Sequence, residues 1–159
     1  MRRTVLLLVI AAVAIEAAGA ARGDVAQTRT PGAQWVVVSN GNGRAAIVRR
    51  GSFLVRVERG RVRVIDLPGG SRPSRRCNRR GNRVSDATVE YRGRDVRCRV
   101  WGEGPWQLIV RGRRIDGSGV VRGSLTLDAV ESGAAGTFRI GQRDARRWPR
   151  APKTFLLRR

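Results

Sequence analysis

The residues of this chain with the clearest chemistry are its arginines. "GSFLVRVERGRVRVIDLPGG" (Gly51–Gly70) sets Arg56, Arg59, Arg61 and Arg63 among Val55, Val57, Val62 and Val64, and "DVRCRVW" repeats the pattern with Arg97 and Arg99. A guanidinium is always charged and offers a planar fork of donors, so an array of them suits carboxylate, sulfate or phosphate oxygens. On an extended strand, alternate side chains stand roughly 6.8 Å apart, close enough to phosphate spacing for a comb of arginines to follow a polyanion. An ordinary solvated strand face, with long stems over apolar surface and heads in water, satisfies the same pattern.

Other chemistries find less support. The chain has no histidine, so the usual proton shuttle and the Ser-His-Asp and Cys-His arrangements are excluded. Asp66, Asp86, Asp95 and Asp116 could meet in space, but none sits in a motif that specifies a reaction. Two cysteines, Cys77 and Cys98, do not make a zinc set. The sequence calls for no catalytic residue, no metal and no cofactor, and is read as non-enzymatic. In an exported chain the cysteine pair reads as a disulfide. It would close a loop of about twenty residues, worth roughly 3 kcal/mol in the chain-entropy model.

Export is what the first residues suggest. Arg2 and Arg3 precede an apolar run of eleven residues, Val5–Ile15, and Ala18-Gly19-Ala20 follows. That is the layout of a helical signal peptide cleaved after Ala20. The run is too short for the roughly 30 Å hydrocarbon layer, and Glu16 closes it. The whole chain carries +21; losing Arg2, Arg3 and Glu16 removes one net positive charge and leaves +20. All of the thirty-three basic residues except Lys153 are arginine. Such a charge favours solubility and attraction to polyanions, at the expense of self-repulsion. The expected location is secreted or at the cell envelope. The expected partners are an anionic wall polymer or an acidic polysaccharide. No base-reading element or nucleic-acid motif is present, which argues against sequence-specific nucleic-acid binding. The Arg-Gly-Asp at Arg22–Asp24 is a tripeptide that an arginine- and glycine-rich chain carries by chance.

The elements that must position the arginines have period two. Residues 21–33 read as a flexible leader, and residues 34–159 as a single β domain. "WVVVS" (Trp35–Ser39) is a strand, and "NGNG" (Asn40–Gly43) a turn cluster of the hairpin kind. "SFLVRVE" and "RVRVIDL" follow, with a turn expected at Arg59-Gly60, and Pro68-Gly69-Gly70 closes that hairpin. Ser71–Asn82 is expected to be a basic loop carrying Arg75, Arg76, Arg79 and Arg80. Strands resume in "ATVEYR", "DVRCRVW", "WQLIVRG", "GVVRGSLTLDAV" and "GTFRIG", with a β-turn at Asp116–Gly119. The fold expected is all-β: an antiparallel sandwich or barrel-like meander of short hairpins. A short β-solenoid is the alternative, because Arg49–Leu67, Tyr91–Val110 and Val121–Leu127 repeat one another loosely at unequal spacing.

Strand parity then sends valines inward, with Phe53 and Cys98, and Arg56, Arg61, Arg63, Arg97 and Arg99 outward. Beside the basic loop these form the candidate polyanion face. The aromatic residues read mostly as core, with Trp101 on the arginine side. "YRGRDVRCRV", "GRRIDGSGVVRGSLTL" and the ending "GTFRI…RRWPRAPKTFLL" resemble a loose group of short secreted β proteins of GC-rich bacteria. The resemblance implies an exported β domain and carries over no site residues.

Overall fold

The computed structural model describes residues 33–129 and 136–157. The expected signal peptide, with its helix and cleavage point, and residues 21–32 of the expected leader lie outside them. So does Arg22–Asp24. The described residues contain no helix. Their strands are β1 (Gln34–Ser39), β2 (Gly43–Asp66), β3 (Ser74–Cys77), β4 (Gly81–Ser85), β5 (Thr88–Glu103), β6 (Trp106–Ala129), β7 (Thr137–Ile140), β8 (Arg146–Arg147) and β9 (Lys153–Leu157). All nine belong to one sheet, which does not close, in the order β3-β5-β2-β6-β1-β7-β8. β4 continues along the outer edge of β5, and β9 along β6. Every pairing is antiparallel. Rungs of a β-solenoid stack in parallel, so that alternative falls.

The short hairpins are replaced by long strands. β2 and β6 each run 24 residues and pair along their whole length. The ribbon they form coils, bringing the start of β2 between the two ends of β6. Gly43–Ile47 bonds to Leu125–Ala129 on one edge and to Trp106–Val110 on the other. The apolar faces line the inside of this coil. Val57, Val62, Val96, Val100, Trp106 and Leu125 are fully buried. Phe53 and Cys98 also point inward, as parity required.

Arg59-Gly60 is not a turn. β2 continues through it, while its buried positions switch from Val55 and Val57 to Val62 and Val64. β5 and β6 switch face at the same level, because Gly60 stands opposite both Gly93 and Gly112. Gly93 and Gly112 have φ of 144° and 151°, and Asp95 and Arg114, each two residues further on, have φ of 47° and 48°. A Cβ on Gly60 would meet the Arg111 carbonyl oxygen and lie 2.7 Å from the Gly112 Cα. The stacked glycines therefore let backbones approach where side chains could not, and the sheet bends instead of reversing.

Three other turn or loop expectations are also corrected. Asn40–Gly43 does not join a hairpin, since β1 pairs with β6 and β7 and not with β2. Asp116–Gly119 is part of β6, held between β1 and β2. The basic segment Ser71–Asn82 contains β3 and the start of β4, because the Cys77–Cys98 disulfide (S–S 2.09 Å) joins directly opposed residues and lays β3 along β5.

Candidate polyanion interface

Register across the sheet decides which arginines are neighbours. Arg56 of β2 faces Arg97 of β5 on one side and Asp116 of β6 on the other. Asp95 sits between the two arginines, 3.0 Å from Arg56 Nε and 2.7 Å from Arg97 Nη2. The Arg97 hydrogen bond holds the Asp95 carboxyl below its ordinary range; desolvation opposes this, and the Arg56 hydrogen bond adds to it. One row further, Arg99 faces Leu54 and Arg76. Its guanidinium lies 5.6 Å from the centre of the Trp101 ring.

Arg61 and Arg63 lie beyond the glycine bend. Arg61 faces Arg92 of β5 and Arg111 of β6. Arg63 faces Glu90, whose carboxylate it meets at 2.6 Å, while Arg92 reaches the other oxygen at 3.0 Å. Glu90 is buried. Burial alone would raise its pKa, but the Arg63 hydrogen bond and the charges of Arg63, Arg92 and Arg61 outweigh it, and the carboxyl stays below its ordinary range. Arg75 and Arg76 are exposed on β3. Arg79 is tied down by donating to the Arg94 carbonyl at 3.1 Å through Nε, and Arg80 is exposed.

The expected comb is thus two groups on either side of a bend. Arg56, Arg76, Arg97 and Arg99 form one, and Arg61 and Arg63 belong to the other. The second group has members that strand parity missed. Arg59 stands opposite Arg94 and Arg113, one step across the glycine row from Arg61, Arg92 and Arg111. Two ranks of three arginines therefore cross β6, β2 and β5 side by side. The sequence signal is Arg-Gly-Arg at Arg59–Arg61, Arg92–Arg94 and Arg111–Arg113. Directly opposed like charges on paired strands destabilise the sheet. Glu90, 3.0 Å from Arg92, relieves part of that load.

A second feature lies on the outer face of the first group. Trp101, Ser52, Val120 and Trp35 form one row across β5, β2, β6 and β1. They line a groove of about 570 Å³ together with Leu54, and Arg50, Arg99 and Arg122 stand around it. Trp101 and Leu54 are 38% and 41% exposed. Trp35 therefore leaves the core assigned to most of the aromatic residues, whereas Trp106 and Trp148 belong to it. No family model matches the chain, and neither a curated protein nor a solved structure matches it.

Proposed function

We propose that this chain is an exported, non-enzymatic β module of the cell envelope, and that it holds an anionic polymer against the outside of its barrel-like sheet. The observation that carries the reading is the pair of arginine ranks at the glycine bend, Arg94–Arg59–Arg113 and Arg92–Arg61–Arg111. Packing like charges opposite one another opposes folding, and a bound polyanion offsets that cost. The net charge of +21, against only twelve acidic residues, supports the same partner class. The basic, apolar start of the chain supports export, and the absence of histidine supports a role in binding over one in chemistry.

Any protein of this charge binds polyanions to some degree, so the test is positional. Arg59→Gln/Arg61→Gln and Arg143→Gln/Arg146→Gln lose equal charge, the second pair lying away from the bend. Affinity for heparin is measured against salt. The bend pair should bind more weakly and flatten the log–log salt slope by about 0.7–0.9 per lost contact. Equal losses from both pairs would reduce the ranks to general electrostatics and overturn the assignment.

A further inference from the structure

The tryptophan groove has features that a simple phosphate chain would not use. Trp101 and Trp35 stand at its two ends, three strand steps or roughly 14 Å apart by sheet spacing. Between them the floor is small and mixed: Ser52 and Ser118 offer hydroxyls, and Val120 and Leu54 offer apolar surface. Three arginines and one carboxylate, Glu103, surround this floor, with Glu103 bound to Arg50 at 2.9 Å. The wall is therefore net positive.

We infer that the groove is a subsite for an acidic polysaccharide, with pyranose rings laid on the Trp35 and Trp101 faces and their carboxylates turned toward Arg50, Arg99 and Arg122. This rests on the polyanion reading above and names its ligand. A pyranose has an apolar C–H face, which suits the electron-rich face of an indole. Its hydroxyls donate as well as accept, so they can bond Glu103 and the two serines. A bare polyphosphate chain has neither a donor for Glu103 nor an apolar face for the tryptophans, which sets a sugar acid above it here. The residues that lead into Ala33 carry Arg22, Asp24 and Arg29, a net positive segment with no charge complement to this wall.

The four tryptophans supply the readout. Trp106 and Trp148 are 0% and 6% exposed, so a ligand in the groove alters the emission of Trp35 and Trp101. The full chain is titrated with oligogalacturonate, polyphosphate and oligo-dT, following intrinsic fluorescence and affinity together. Oligogalacturonate should shift the emission. Trp101→Ala should weaken oligogalacturonate on the order of fivefold or more and leave polyphosphate unchanged. Trp101→Phe should restore most of the affinity, which separates loss of stacking from loss of fold. Polyphosphate binding with no Trp101-dependent preference for oligogalacturonate would overturn the subsite and leave the polyanion reading standing. A Trp101 dependence as large for oligo-dT would assign the groove to nucleic acid instead. Failure to bind any of the three would remove both readings.

Discussion

Replacing Glu90 by glutamine tests whether the arginine ranks carry a real electrostatic load. The Glu90 side chain is 9% exposed and divides its two oxygens between Arg63 and Arg92, whose side chains are 35% and 65% exposed. Breaking a fully buried pair costs about 3–5 kcal/mol, and an exposed pair is worth about 0–1 kcal/mol. Here the anion is buried and the cations can recover water, and glutamine still accepts one hydrogen bond. Glu90→Gln should therefore cost about 2 kcal/mol at pH 7, or about 6–10 °C in Tm for a domain of this size. The pH dependence fixes the cause. The folded pKa of Glu90 is depressed, so its contribution is whole above the unfolded carboxylate value of about 4.3 and is lost as pH falls through the lower folded value. Urea denaturation of wild type and variant at pH 7, 5 and 3 should give a difference that persists at pH 5 and shrinks at pH 3. Glu103→Gln, at a salt bridge exposed on both sides, should change stability by less than about 0.5 kcal/mol. A Glu90→Gln cost no larger than that, or one independent of pH, would refute the reasoning.

Two further outcomes follow from the bend and the disulfide. Gly60→Ala forces a Cβ against the Arg111 carbonyl oxygen and Gly112, so it should cost about 1–3 kcal/mol in chemical denaturation, whereas alanine at the open turn position Gly69, despite its positive φ, should cost less. Cys98→Ala should cost about 2–5 kcal/mol, and alkylation of native protein without reductant should add no mass at Cys77 or Cys98.

The β class, the inward valines, Phe53 and the Cys77–Cys98 bond were legible because strand parity and cysteine pairing are local or nearly local signals. The bend was not. A switch from Val55 and Val57 to Val62 and Val64 across Arg59-Gly60 reads as a turn in one sequence. It reads as a kink only when Gly93 and Gly112 are known to stand beside Gly60. The same holds for Asp116–Gly119, whose turn-forming residues are kept extended by neighbours on both edges. Trp35 and Trp101 are far apart in sequence and three strand steps apart across the sheet, so their shared groove depends on register that no stretch of sequence encodes. The cross-strand neighbours of the arginine comb were hidden for a related reason. Parity along β2 says which side Arg61 takes, but only pairing says that Arg92 and Arg111 stand next to it.

The outer edge of β5 is occupied by β3 and β4, whose own far sides end the sheet. Arg75, Arg76 and Arg83 on these strands are exposed, and Arg79 and Arg80 lie between them. Unpaired edge backbone is a template for another copy, and a row of positive charge keeps that copy away. These edge arginines thus serve a purpose separate from the one proposed for the two ranks: they oppose edge-to-edge contact between copies. On the proposed polyanion reading, a long polymer would gather copies along its length and screen the repulsion between their edges. Near charge balance, adjacent copies on such a polymer would then be free to extend their sheets into one another.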